Sequence, residues 1–352
     1  MKKVMLTAVV LSLLAFGIGI VQAASVSQAT VLFLKISPGA RPSGMGEAFV
    51  GLADDATATW WNPAGLGFLE EKQLTLMYAK WLPQFHMSDL YYSFISYIHN
   101  VPDWGTFGGN IIFLNLGETE YRDENNISRG TFSSYEMAAT GSYGSKVTEN
   151  FALGVNVKLI YSHLSDRGQG QERGSGTATA VAVDVGGLYK VSALKGLQIG
   201  ANLSNMGPKV AYIDRAQADP LPTNLKLGIA YKIMETEYNR ITFTADVNKE
   251  LVTKNADGTS DPFYLAIFTS WYNDPVEDEL KEFIWNFGVE YWYSTLVGLR
   301  AGYWHDVLGE VYPLTFGVSL QYSVYRFDFS YLSAEQGHPL QDTMRYSLSI
   351  NF

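Results

Sequence analysis

The sequence predicts an all-β protein, a transmembrane antiparallel β-barrel of fourteen strands with an N-terminal plug segment. Three observations lead there. Apolar and polar residues alternate over stretches long enough to cross a bilayer as tilted strands. The composition is aromatic-rich and charge-poor, with 22 Tyr, 19 Phe and 8 Trp and charged residues at 17%, against an average near ~25%. Beyond residue 23 no apolar run approaches the ~18–20 residues of a spanning helix.

The first element is a signal peptide over residues 1–23. Lys2 and Lys3 form a basic n-region, an apolar run extends from Val4 to Ile20, and Val21-Gln22-Ala23 supplies the cleavage positions before Ala24. Retention as an anchor is disfavoured, because Gly17 and Gly19 weaken the helix just before that box. The absence of cysteine excludes a disulfide framework, a metal–thiolate site and a lipoprotein anchor. A barrel closed by hydrogen bonds needs no staples.

Residues 151–161 display the alternation well. Phe151, Leu153, Val155, Val157, Leu159 and Tyr161 share one face; Ala152, Gly154, Asn156, Lys158 and Ile160 share the other. The pattern recurs over 223–232, 241–248, 283–293, 314–322, 325–331 and 344–352. The apolar faces tend to end in Tyr, Trp or Phe, as membrane-interface girdles require, and the opposite faces carry small, polar and charged residues suited to a lumen. A soluble sandwich also alternates, but these strands are long for one, and no fixed-period repeat points to a solenoid.

Candidate strands fall at 73–80, 90–99, 105–116, 134–143, 151–164, 177–190, 197–205, 223–232, 241–249, 263–271, 283–293, 296–304, 314–322, 325–332 and 343–352. Fifteen runs conflict with the even strand number of single-chain bacterial barrels. Counted from residue 73, the long connections at 119–130, 165–176, 206–222 and 250–262 follow odd strands. Counted back from Phe352, those at 333–342 and 305–313 fix the opposite phase. Both phases hold only if 263–271 belongs to one long extracellular excursion, 251–282, containing a short helix. Fourteen strands remain over 73–352, with short periplasmic turns at 100–103, 146–150 and 192–196. The last strand places Met344, Tyr346, Leu348, Ile350 and Phe352 on one face, the pattern of a barrel-insertion signal.

Residues 24–72 differ in kind and are read as a plug, or hatch. The stretch 39–66, GARPSGMGEAFVGLADDATATWWNPAGL, is rich in small residues and too irregular for a strand. Within it Asn62-Pro63-Ala64-Gly65 is a turn signal, because Asn bonds its own backbone and Pro fixes φ. Small residues let backbone approach backbone, as a plug in a narrow barrel must. This segment resembles the N-terminal signature of the PorV/PorQ family and, more distantly, the hatch of FadL-type fatty-acid channels. Further family-like pieces are LPTNLKLG at 221–228, ADVNKEL at 245–251, GVEYWY at 288–293 and LRAGY at 299–303. The resemblance covers essentially the mature chain and implies a FadL-like barrel of fourteen strands, in agreement with the parity argument. PorV-like outer-membrane components of type IX secretion receive the C-terminal signal domain of cargo after translocation. FadL-like relatives instead admit hydrophobic small molecules through a plugged lumen.

Catalytic chemistry finds little footing. His86, His99, His163, His305 and His338 are widely spaced, with no HExxH. There is no G-x-S-x-G elbow and no P-loop, and Gly44-Met45-Gly46 lacks the strand before it and the third glycine of a dinucleotide fingerprint. The expectation is therefore no enzyme, no metal and no cofactor. Asp54 and Asp55 are read as partners for Arg41 or a lumen arginine rather than an acid–base pair.

Alternation places Lys158, Lys226, Arg300, Arg326 and Arg345 in the lumen against Glu136, Asp184, Asp246, Glu290 and Asp328. Balanced signs point to ion pairs bracing wall and plug, whereas an ion-selective pore would show one sign. The plug and lumen residues expected to matter are Arg41, Asp54, Asp55, Asn62, Pro63, Arg300, Arg326, Asp328 and Arg345.

In the long loop, Phe263, Phe268 and Trp271 lie beside Asp274, Glu277, Asp278 and Glu279. Aromatic anchors in such surroundings suit contact with another protein. The leading expectation is a type IX secretion shuttle in the outer membrane of a Gram-negative bacterium. Its partners would be cargo proteins with C-terminal secretion domains, other secretion components and outer-membrane lipid. The net charge of −10 argues against nucleic acid. A FadL-like transporter of hydrophobic small molecules and a structural scaffold are the alternatives.

Overall fold

The alternating runs become paired strands in the structure, a computed structural model that describes residues 29–87, 89–122, 126–166, 176–212, 218–255 and 257–352. The expected signal peptide lies outside the described residues. Fourteen antiparallel strands form one closed barrel in which each strand neighbours the next in sequence. The first seven are β1 (Gln73–Lys80), β2 (Tyr91–Val101), β3 (Gly105–Arg122), β4 (Ser128–Thr148), β5 (Phe151–Ser165), β6 (Gly176–Lys190) and β7 (Leu197–Met206). The second seven are β8 (Asn224–Glu235), β9 (Asn239–Glu250), β10 (Ile284–Tyr293), β11 (Val297–His305), β12 (Leu314–Tyr322), β13 (Tyr325–Ser333) and β14 (Thr343–Asn351). Two short helices, α1 (Ala40–Ser43) and α2 (Ala58–Trp61), precede β1; α3 (Phe263–Thr269) and α4 (Val276–Glu279) lie between β9 and β10.

β1 pairs with β14 from Gln73↔Asn351 to Ala79↔Arg345. The ring is closed and leaves no strand edge. The pleat then sorts the side chains. Leu153, Val157 and Leu159 are 46%, 55% and 55% exposed on the outer face, while Ala152, Asn156, Lys158 and Ile160 are buried inside. Outward rings form a girdle across five strands: Tyr78, Tyr91, Phe113, Tyr135 and Tyr161 follow one another at centroid spacings of 5.8, 6.0, 5.8 and 6.0 Å. Amphipathic rings at one height mark a membrane interface.

Parity is resolved as the connection lengths require, since the surplus run, 263–271, is α3 and the turn after it rather than a strand. One expectation is corrected. Much of the loop placed at 119–130 is ladder, with Thr119 opposite Phe132, Glu120 opposite Thr131 and Arg122 opposite Ser128. Glu118, Glu120 and Arg122 give it the composition of a loop. A hairpin that has left the membrane can carry charge and still keep its backbone bonds paired.

Short turns and the two ends of the barrel, Gln73 and Asn351, gather at one rim; long connections gather at the other. The topology expected from the sequence places the long-loop rim outside the cell. A single cysteine at Asp257, exposed at that rim, should then label on intact cells with an impermeant maleimide. One at Thr148, the exposed last residue of β4, which runs into the turn expected at 146–150 and leaves only 149–150 as turn, should label only after permeabilisation. Labelling at Thr148 alone would invert the orientation.

Candidate functional site: the lumen and the long-loop rim

From Phe33 to Leu66 the chain before β1 runs inside the barrel. Ala40, Met45, Phe49, Val50, Trp61 and Leu66 are all inaccessible to solvent. Its backbone meets the wall at glycines. A Cβ on Gly144 would lie 2.4 Å from the Pro63 carbonyl oxygen, one on Gly154 2.1 Å from the Pro63 carbonyl carbon, and one on Gly302 2.1 Å from the Gly46 nitrogen. No side chain fits at those wall positions. Asn62 caps the 3-10 turn Pro63–Phe68, its Oδ1 accepting the Ala64 N–H at 3.1 Å. Its Nδ2 donates to the carbonyls of Val50 and Gly187 at 3.0 and 3.1 Å. Asp246 accepts the N–H groups of Phe49 and Val50 at 2.7 and 2.8 Å.

Edge-on contacts of 5.9 Å between Phe49 and Trp61 and 4.7 Å between Trp60 and Trp61 build a core. Inward Tyr92, Phe94, Ile112, Leu114 and Ile160 join it. The β1–β6 side of the lumen is therefore partly apolar, which corrects the polar inner face expected from alternation. A lumen packed with Phe and Trp in place of water favours apolar wall residues.

On the β10–β14 side the packing is ionic. Arg41 grips Glu290 with two bonds of 2.8 Å and reaches Asp54 at 2.5 Å and Asp55 at 3.0 Å. Arg300 Nε donates to the same Glu290 carboxylate at 2.7 Å, and Arg326 joins Asp55 to Asp328 at 3.0 and 2.9 Å. Glu290, Asp328 and Asp55 are at most 2% exposed, as is the Arg300 side chain, while the Asp54 side chain is 44% exposed. Such charges are tolerated only because each is paired and hydrogen-bonded.

The remaining inward charges sit apart from this network. Arg345 binds Glu47 at 3.1 Å and the Ser37 carbonyl at 2.6 Å; Lys158 binds Asp184 at 2.9 Å. Glu136 accepts from the Ser162 hydroxyl at 2.7 Å, and the Lys226 ammonium lies over the Trp60 and Trp61 rings at 4.4 and 4.7 Å.

At the long-loop rim the β9–β10 connection folds down over Lys249, which pairs with Glu279 at 2.7 Å and with Glu282. Burial pushes the Glu282 carboxyl above its ordinary value, and Lys249 draws it back only in part. Trp271 packs on Phe283 at 6.2 Å with Lys249 over its ring at 5.5 Å, and Phe263 is half-buried. Of the three loop aromatics named from the sequence, only Phe268 faces outward, at 71% exposure. Sequence reasoning missed Tyr264 and Tyr272, 59% and 87% exposed. Their spacing of four from Phe268 on either side is a helical period, the signal that could have found them. It also missed Lys249, outward by alternation but buried beneath the loop, and Glu47.

A family profile described as "Type IX secretion system protein PorV" matches residues 21–257. No curated protein sequence matches. Among solved structures, the Ralstonia pickettii toluene transporter TbuX aligns with a TM-score of 0.52 at 15% identity, covering 90% of this chain and 98% of that one. The Pseudomonas putida toluene transporter TodX gives 0.53 at 16%, covering 90% and 96%. A Pseudomonas aeruginosa FadL homologue gives 0.53 at 12%, covering 90% and 98%. At these identities the likeness is one of fold.

Proposed function

The chain belongs to the PorV family of type IX secretion system proteins, and from that premise we propose that it is the shuttle barrel of such a system. In this reading it sits in the outer membrane of a Gram-negative bacterium and binds the C-terminal signal domains of exported cargo at its extracellular, long-loop rim. It acts by binding, without catalysis. The observation that carries the reading is the outward face of α3 and the turn after it. Tyr264, Phe268 and Tyr272 stand exposed there on a loop held to the barrel by the buried Lys249. Exposed aromatics on a fixed base are the usual anchors of a protein contact. The segment before β1 acts as a plug, so the rim and not a pore is the working surface.

Replacing Tyr264, Phe268 and Tyr272 together by Ser should leave a heat-modifiable barrel. It should weaken binding of a purified cargo C-terminal domain at least about tenfold, since one such anchor is worth about 2 kcal/mol or more. Binding unchanged by the triple substitution removes the proposed surface. The alternative is passage of hydrophobic compounds, as the names of the toluene transporters that share this fold describe for those proteins. On that reading the loop is dispensable and changes to the plug alter uptake.

A further inference from the structure

A cavity of about 200 Å³ lies at the short-turn rim, between the segment before β1 and the inner wall of β9–β13. Arg41 and Asp54 border it from the segment before β1. Arg240 of β9, Gln321 of β12 and Arg326 of β13 border it from the wall, and Thr295 from the β10–β11 turn. Thr295 is exposed and the Asp54 side chain 44% so, which opens the cavity to water.

The donors around it are unequally used. Arg41 is fully engaged with Glu290, Asp54 and Asp55. Arg326 donates through Nε to Asp328 and through Nη2 to Asp55 and Ser349, while among the described residues its Nη1 has no acceptor. Arg240 is freer still. Among the described residues no carboxylate lies within ion-pair distance of its guanidinium, which stands 5.9 Å from the Trp292 ring centroid. Its cross-strand neighbour Glu235 is bound instead by Lys232, at 3.0 Å. Neither the Thr295 hydroxyl nor the Gln321 amide has a partner among the described residues. The unpaired atoms of Arg240, Gln321 and Arg326 are open to solvent, so a solute reaches them without unpacking the fold.

Net charge sets an upper limit on the ligand. The ionic network sets Arg41, Arg300 and Arg326 against Asp54, Asp55, Glu290 and Asp328, and Arg240 makes the signs even. What is left over is directional: N–H groups of two guanidinia, a hydroxyl and an amide border one space that offers them no acceptor. Arg forks match the two oxygens of a planar carboxylate, and one negative charge disturbs the balance less than the two of a phosphate. We infer that this cavity binds a single carboxylate group, between Arg240 and Nη1 of Arg326 with Thr295 and Gln321 beside it. The volume falls below the ~300–1,000 Å³ of pockets that enclose drug-sized ligands, so it suits one acidic side chain of a protein partner or a small organic acid. In the expected topology the site faces the periplasm. It lies at the barrel end opposite the proposed cargo surface and does not rest on it.

The test is calorimetric titration of the full barrel in detergent, at fixed ionic strength, with acetyl-Ala-Glu-Ala amide, acetyl-Ala-Gln-Ala amide, acetate and phosphate. The Glu peptide should saturate, with the Gln peptide at least about tenfold weaker, since it forgoes the hydrogen bonds to a charged group. Arg240→Gln, checked for heat-modifiable folding, should bring the Glu peptide down to the level of the Gln peptide. Gln321→Glu, which tethers a carboxylate at the site, should do the same without removing a cation. Lys195→Gln should change nothing, because that exposed cation sits in the β6–β7 turn of the same rim, outside the cavity. Acetate binding as tightly as the Glu peptide assigns the site to free organic acids; tighter binding of the peptide assigns it to an acidic side chain. Equal affinity for the two peptides, phosphate binding more tightly than either carboxylate, or no saturation overturns the inference. So does a loss from Lys195→Gln as large as that from Arg240→Gln. Any of these failures leaves the shuttle reading standing, because its test reads the opposite rim.

Discussion

Arg41→Met should destabilise the barrel by about 3–5 kcal/mol, the cost of leaving buried charges without their partner. The single substitution strips Glu290 of two bonds of 2.8 Å and Asp55 of one of 3.0 Å. Both carboxylates are at most 2% exposed and cannot turn to water. Arg300 and Arg326 remain, but they already serve Asp328 as well. Urea unfolding in a fixed lipid or detergent, followed by the shift between heat-modifiable forms, measures the loss. Lys35→Met is the control, because that ammonium pairs with Glu250 while its side chain is 33% exposed; its effect should stay below about 1 kcal/mol. Equal losses from the two substitutions would deny the luminal network its bracing role.

Gly302→Val should dislodge the segment before β1 or prevent assembly outright. Its Cβ would fall 2.1 Å from the Gly46 nitrogen and 2.3 Å from the Met45 carbonyl carbon, both backbone atoms that cannot swing aside. Overpacking against movable side chains costs about 1–3 kcal/mol, and backbone against backbone costs more. Barrel that still inserts should conduct ions in planar bilayers where the parent does not, because the segment no longer seats. Gly187→Ala is the matched control: its Cβ would point away from the lumen and meet nothing closer than 3.7 Å. A closed, fully stable Gly302→Val barrel contradicts the packing described above.

What the sequence made legible follows from which contacts are periodic. Strands with one lipid face and one inner face announce themselves at period two, so β5, β8, β12 and β14 needed no structure to find. The strand number was legible because connection length alternates strictly in a meander. The outer half of the β3–β4 hairpin was not, since outside the membrane neither face must be apolar and the alternation stops. Nor was the apolar inner wall near Tyr92, Phe94 and Ile112, whose character is set by Phe49 and Trp61 from a distant stretch of chain.

Arg41 and Asp55 stood out as charges among small residues. That Arg41 grips Glu290 from 249 positions away is a matter of register, which composition does not carry. The outward aromatics of the long loop were half visible. Phe268 was named, while Tyr264 and Tyr272 required reading 263–269 as a helix whose outward face the following turn continues.

Recovery of cargo C-terminal domains with the tagged barrel from native outer membranes tests the central claim most directly. The parent chain is compared with one lacking 263–279, and uptake of a hydrophobic dye is recorded in the same cells. The account predicts that the deletion leaves barrel levels and dye uptake unchanged while cargo recovery falls at least about tenfold. Full cargo recovery by the deleted chain would contradict it.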